Sequence, residues 1–268
     1  MSSFVSWKYL GLVNRAGFYI LFSNIWLKKY GDHPERYPFK KRYSRVHKFL
    51  GKCVKAFKCD YIITGEENIP KDSNVVFTPN HQSNTDPISI VALSDKPLVF
   101  LAKKEINKFP FVKNVVRAVS GIFIDRSNLR QEIKIMRKLS EDLKTSEHSY
   151  VIFPEGTRSR PIDHPLLDFK PGALKPAYIA KKPIVPVAIH GAYRVLDKHL
   201  RMKKFPIQIA YLKPHYPEEF EKVNTIDMAK KIQSEINEKL KELKKNDVEL
   251  VKKYRYKHCK WPTEITGI

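Results

Sequence analysis

The sequence predicts an α/β fold: a mixed, roughly seven-stranded sheet flanked by helices, with two amphipathic helices appended at the N-terminus. Three observations point there. Beyond Asp60, short apolar runs alternate with helix-like runs, the order in which strands and their covering helices follow one another. The runs Val75-Val76-Phe77, Ile122-Phe123-Ile124, Val151-Ile152-Phe153 and Val185-Pro186-Val187-Ala188-Ile189 are apolar at consecutive positions, as in sheets covered on both faces. Hydrophobic residues make up 42% of the 268 positions, with 15 Phe and 13 Tyr, ample for the core of one domain with appendages.

The first element is apolar and short. Ala16 to Leu27 is twelve residues without charge, bounded by Arg15 and by Lys28-Lys29. As a helix it is about 18 Å long, short of the roughly 30 Å of a bilayer core, so it does not span. Trp7, Tyr9, Tyr19, Trp26 and Tyr30 around it have the rings that favour a headgroup layer. After a Pro-containing break from Gly31 to Pro38, residues Val46, Phe49, Leu50, Cys53, Val54 and Phe57 recur at helical spacing. Lys41, Arg45, Lys48, Lys52 and Lys55 line the opposite face, and between Lys40 and Lys58 there are eight Lys or Arg and no acid. The two helices read together as an interfacial anchor for anionic lipid over residues 1–58. An ordinary surface helix packed on the core, with a solvated basic face, is the other reading of the second one.

The body follows as residues 59–225. Strands are predicted at Tyr61–Thr64, Asn74–Thr78, Leu98–Ala102, Gly121–Asp125, Tyr150–Phe153, Ile184–Ile189 and Ile207–Tyr211. Helices are predicted after Pro87 and over Phe111–Val119, Leu129–Leu143 and Gly172–Ala180. A last segment, 226–268, holds a helix from Asp227 to about Lys245 with Ile232, Ile236, Leu240 and Leu243 on one face, then a basic, aromatic tail.

Charge narrows the partners. Fifty Lys and Arg against 28 Asp and Glu give +22, a field that favours a polyanion: nucleic acid, an anionic membrane or a phosphorylated substrate. No helix-turn-helix, zinc spacing or RNP-like strand supports nucleic acid, and the positive charge is concentrated on an amphipathic helix. Cys53, Cys59 and Cys259 have no C-x-x-C spacing, which argues against a disulfide framework or zinc site. The apolar N-terminal run has no small-residue cleavage site after it, so no secretory signal is expected.

Candidate chemistry gathers at predicted strand ends, where α/β folds place their sites. His81 and Asp86 follow the Asn74–Thr78 strand in Asn80-His81-Gln82-Ser83-Asn84-Thr85-Asp86. Pro79 is expected to stop the ladder, and Asn80 and Ser83 are turn formers. A spacing of five fits neither helix nor strand, so the two side chains meet only if the loop folds back. If they do, the carboxylate takes one ring proton and leaves the other nitrogen free to accept a proton from a substrate hydroxyl. Lys103 and Lys104 end the third strand. Asp125 and Arg126 end the fourth. Pro154, Glu155, Gly156, Thr157 and Arg158 end the fifth; Gly156 permits positive φ or a close backbone approach, and Arg158 offers a fork for phosphate. Pro186 interrupts the sixth, which argues for a bulge or a special wall.

The four runs NHQSNTD, GIFIDR, FPEGTRS and IVPVAIHG, with Ala102 to Ile106 and Phe169 to Ala173 between them, resemble in order and spacing the four motifs of the glycerolipid acyltransferases of the PlsC type. The match extends from about Tyr61 to Tyr211, and the N-terminal helices are similar to the membrane-docking pair of compact bacterial members. That resemblance implies acyl transfer from acyl-CoA or acyl-carrier protein to lysophosphatidic acid, on an anionic membrane at the cytoplasmic face. It implies His81 as base, Asp86 as its orienting partner, and Lys103 as oxyanion donor, with Lys104 as rival. Arg126, Gly156, Thr157 and Arg158 would hold phosphate, Glu155 would order their loop or bind the glycerol, and Pro186 would shape a wall. No metal, cofactor or nucleic acid is expected. Glycerol-3-phosphate or another lysolipid as acceptor stays open.

Overall fold

A computed structural model describes residues 7–125, 127–159, 166–196 and 202–254. Two helices come first, α1 (Trp7–Asp32) and α2 (Phe39–Ala56). The body runs β1 (Cys59–Thr64), β2 (Val76–Pro79), α3 (Asp86–Leu93), β3 (Leu98–Lys103), α4 (Pro110–Ala118), β4 (Ile122–Ile124), α5 (Leu129–Thr145), β5 (Ser149–Val151), α6 (Lys175–Ala180), β6 (Ile184–His190) and β7 (Phe205–Tyr211). A short α7 (Pro217–Phe220) precedes a long final helix, α8 (Thr225–Tyr254). All seven predicted strands are present. The last helix extends beyond its predicted end, and the tail after Tyr254 lies outside the described residues.

The strands form one sheet in the order β1-β7-β6-β2-β5-β3-β4. Every neighbouring pair is parallel except β6 with β7, which makes the sheet mixed. Its two faces carry separate apolar layers. One takes Val46, Phe49 and Leu50 of α2, Ile90 and Val91 of α3 and Val115 and Val116 of α4. The other takes Met136, Leu139 and Leu143 of α5, Ala177 of α6 and Ile232, Ile236 and Leu240 of α8. Burial on both sides is the reason the central strands read as unbroken apolar runs.

Two prolines behave differently from expectation. β2 continues through Pro79, in register with Val187 of β6. The N–H groups of Val76 and Asn80 point to β6, bonding Pro183 and Val187, so the absent donor of Pro79 lies on the β5 side. The last β2–β5 pair there is Phe77 with Val151, and nothing is broken. Pro186 interrupts nothing in its own strand, since β6 runs from Ile184 to His190 and is buried throughout; the extra residue lies on the chain opposite, where Val187 pairs with Tyr211 but Ile184 with His215. The Pro186 carbonyl accepts from Leu212 N at 2.9 Å, and the pairing resumes at Ile184 with His215, so the ring removes a single bond beside that bulge.

The N-terminal helices correct a third expectation. The apolar stripe of α2 faces inward: Val46, Phe49, Leu50, Cys53 and Val54 are buried, and Arg42 is 5% exposed. Its guanidinium donates to Tyr37 O at 2.9 Å, Ala118 O at 2.6 Å and Ser120 Oγ at 3.1 Å. A helix that packs its stripe on the core cannot offer it to lipid. Lys41, Arg45, Lys48, Lys52 and Lys55 stay exposed. Exposed apolar side chains lie on α1 instead, where Leu21, Phe22 and Ile25 are 70%, 55% and 72% exposed. Phe109, ahead of α4, adds another, and α1 is joined to α4 by Asn114 Nδ2 donating to Asn24 Oδ1 at 2.7 Å and by Arg117 with Asp32. The side chains of Trp7, Tyr9 and Tyr19 lie outside the described residues. Among the described residues no helix is long and apolar enough to cross a membrane.

Candidate active site

The loop between β2 and α3 does fold back. Asp86 is the first residue of α3, so its carboxylate sits where helical N–H groups are unsatisfied and the helix dipole favours negative charge. Its Oδ2 accepts from the main-chain N–H of Gln82 at 2.7 Å and of Ser83 at 2.8 Å. The same oxygen lies 2.9 Å from Nδ1 of His81. Asp86 is fully buried. A carboxylate that already takes two donors can only accept a third, so Nδ1 carries the ring proton and Nε2 presents its lone pair.

The loop after β5 grips the backbone of the same histidine. Oε1 of Glu155 accepts the His81 N–H at 2.6 Å, and the His81 carbonyl accepts from Ser159 N at 3.0 Å and Ser159 Oγ at 3.2 Å. Phe153 packs on the imidazole, ring centroids 4.2 Å apart. The other Glu155 oxygen accepts from Leu167 N at 3.1 Å. Glu155 is 3% exposed, and burial pushes its carboxyl up to about 7 against the pull of these two hydrogen bonds. Both its oxygens are therefore committed to the backbone of the loops.

Gly156 turns the loop with φ +70°, and a Cβ there would sit 3.1 Å from Cε and Nζ of Lys170. Thr157 is exposed and Arg158 half-buried beside it. Lys170 is held over this turn because its N–H donates to Pro154 O at 2.9 Å. Sequence reading passed over this lysine, although Phe169-Lys170-Pro171-Gly172-Ala173 stood out as a run. A small cleft opens here. Its walls are Leu101, Ile124, Met136, Ile152, Phe153 and Ala173, with Lys170, Gly156 and Glu132 as polar edges. Phe153 thus touches both the imidazole and the cleft.

The other expected residues are placed less closely. Lys103 ends β3, two strands from β2; its side chain is 52% exposed and its ammonium lies 3.5 Å from Glu105. Lys104 is bound to Asp125 at 3.2 Å. Neither ammonium contacts His81. Arg126 lies outside the described residues. Pro186 is paired with Thr78 inside the sheet and does not line the cleft. Asn80, read as a turn former, is fully buried, and its amide pairs with the main chain of Ile189. Among the described residues no group of three His, Cys, Asp or Glu could hold a metal ion.

Comparison with known proteins agrees with this geometry. The acyltransferase family model matches residues 60–190. A probable 1-acyl-sn-glycerol-3-phosphate acyltransferase from Mycoplasma pneumoniae is 30% identical over 232 residues, covering 82% of this chain and 85% of the relative. The 1-acyl-sn-glycerol-3-phosphate acyltransferase of Borreliella burgdorferi is 35% identical over 143 residues, 52% of this chain and 54% of that one. The crystal structure of the 1-acyl-sn-glycerophosphate acyltransferase PlsC from Thermotoga maritima superposes with a TM-score of 0.70 at 27% identity, covering 88% of this chain and 95% of that one.

Proposed function

The chain belongs to the 1-acyl-sn-glycerol-3-phosphate acyltransferase family, and from that premise we propose that it moves a fatty acyl group from acyl-CoA or acyl-carrier protein to the sn-2 hydroxyl of lysophosphatidic acid at a membrane surface. The observation that carries the reading is the His81–Asp86 contact at 2.9 Å, with Nε2 left as the base. Nε2 takes the hydroxyl proton as the oxygen bonds to the thioester carbonyl carbon. The carbonyl oxygen becomes an oxyanion. As the tetrahedral intermediate collapses, the C–S bond breaks and the imidazolium returns the proton to the leaving thiolate. The acceptor brings the nucleophile, so no acyl-enzyme is required. Asp86 stabilises the imidazolium in between.

The oxyanion needs a donor, and Lys103 is assigned that role. Binding the thioester then draws its ammonium away from Glu105. Arg158, Gly156 and Thr157, with Arg126 and with Lys170 above the turn, hold the acceptor's phosphate. Glu155 orders this loop rather than touching glycerol. The small apolar cleft beyond Phe153 marks where the acyl chain enters, and its walls must part to seat it. The apolar residues exposed on α1, next to Lys28 and Lys29, enter the surface of an anionic bilayer, where acceptor and product reside.

The test is thiol release from a saturated acyl-CoA by the purified chain on anionic vesicles, with and without lysophosphatidic acid, repeated with acyl-carrier protein as donor. Release that requires the acceptor and disappears in His81→Ala supports the assignment. A folded, vesicle-bound protein that releases no thiol from either donor refutes it.

A further inference from the structure

We propose that Asp247, on α8, is a positioning residue for His81: it fixes the Ile189–Arg194 segment from which both ends of the His81–Asp86 loop are suspended. The inference rests on the function proposed above, and Asp247 lies outside the residues matched by the family model.

The loop has two anchor points. At its start, Asn80 is fully buried. Its Nδ2 donates to Ile189 O at 3.0 Å, its Oδ1 accepts from Ile189 N at 2.7 Å, and its own N–H donates to Val187 O at 3.3 Å. At its end, Thr85 Oγ1 lies 3.4 Å from Ala192 O and 3.0 Å from Ser83 Oγ and shares its one hydroxyl proton between them. These are the residues immediately before the base and immediately before its carboxylate. The aim of the imidazole is therefore set by where Ile189 and Ala192 lie.

That segment leaves β6 through Gly191, at φ +92°, where a Cβ would meet Pro206 O at 2.4 Å. Only glycine fits so close to β7. The two residues that flank the turn converge on one carboxylate. Nε2 of His190 lies 3.2 Å from Asp247 Oδ2. The Arg194 guanidinium donates to both Asp247 oxygens, NH1 at 2.8 Å, and NH2 donates also to Tyr193 Oη at 2.8 Å. Arg194 is fully buried, His190 and Asp247 nearly so. Burial pushes the Asp247 carboxyl up, but hydrogen bonds from His190 and Arg194 and the guanidinium's charge outweigh it and hold the group below its ordinary value. A buried ion pair adds little net stability over an apolar pair of similar volume, yet it fixes geometry. In this place it fixes one of the two segments that hold the catalytic loop, the other being the turn of Glu155 and Ser159.

The experiment uses the full-length protein with Arg194→Met and Asp247→Leu combined, since removing one partner alone leaves a buried charge and endangers the fold. Folding is checked by circular dichroism and melting. Two readouts follow: steady-state kinetics for both substrates, and the downfield proton resonance of His81 Nδ1–H, assigned by its absence in His81→Gln. The expected result is a kcat about 10- to 100-fold lower, as for a displaced catalytic group. Both KM values stay within about twofold, and the resonance moves or is lost. Unchanged kcat and an unmoved resonance in the folded variant would overturn the proposal, and so would a rise in KM alone. Should the double variant not fold, Arg194→Lys, which keeps the charge and loses the fork, is read by the same criteria. If the wild type transfers no acyl group, the proposed function fails, and the resonance alone decides whether Asp247 positions the ring.

Discussion

The main-chain N–H of His81 donates to Oε1 of Glu155 at 2.6 Å, so one carboxylate holds the backbone of the candidate base while another, Asp86, holds its ring. The first has a pH signature. Burial raises the folded carboxyl of Glu155 to about 7, above its ordinary 4.5. In the unfolded chain the group ionises first. Its contribution to stability is therefore complete below pH 4.5 and is lost as pH rises through 7. Denaturant melts of the wild type should lose up to about 3 kcal/mol across that window, and Glu155→Gln should lack this component. Parallel curves for the two proteins would place the ionisation elsewhere.

His81→Ala should lower kcat by about 10²- to 10⁴-fold, the usual contribution of a positioned base. Asp86→Asn should have a comparable effect, because an amide disturbs the tautomer that keeps Nε2 free. Unaltered circular dichroism with near-normal turnover in either variant would remove the dyad from the reaction.

Arg158→Ala should raise the KM of the phosphate-bearing acceptor about tenfold or more and leave that of the thioester nearly unchanged. Gly156→Ala should act in the same direction. Its φ of +70° costs a side chain about 1–2 kcal/mol, and the new methyl would push the end of Lys170 off the turn. A phosphate-free acceptor used equally well by wild type and variants would confirm that the loop reads phosphate; equal losses for both acceptors would argue against it.

Leu21→Glu with Ile25→Glu should reduce sedimentation with anionic vesicles by about 10-fold or more, since each buried aliphatic side chain contributes about 1.5–3 kcal/mol. The melting temperature should hold, because both side chains are about seven-tenths exposed. Vesicle binding that survives both changes would move the docking surface away from α1.

How far the sequence disclosed this arrangement depended on the range of the interactions. Period and apolar content are local, and they located every strand of the sheet and the loop that joins His81 to Asp86. The direction of α2's stripe was not local. Lipid and a protein core make the same demand on Val46, Phe49 and Leu50, and only the buried Arg42, bound to the carbonyl of Ala118, reveals which one meets it. Pro79 misled because a proline's cost depends on which neighbouring strand faces its nitrogen, and pairing order is invisible in a single chain; Pro186 did mark a bulge, but on the chain opposite it. Asn80 and Lys170 escaped for a related reason: their partners, Ile189 and the Gly156 turn, are remote in sequence. Glu155 was recognisable as a site residue, but its choice between loop and substrate required seeing both oxygens occupied.

The strand pairing also sets a schedule for biosynthesis. Among the described residues β1 pairs with β7 alone, Cys59 with Phe205, about 145 residues later. β2 likewise waits for β6, from Ile184 onward. A chain growing from the ribosome completes neither pairing until most of its length has emerged, and such non-local closure is slow. Meanwhile β2, β5, β3 and β4 can already pair, and the stripe of α2 has α3 and α4 to pack against. Chains halted before β6 should therefore hold a four-stranded half sheet with β1 unpaired, and should expose β1 and the open edge of β2 to proteases that the finished protein resists.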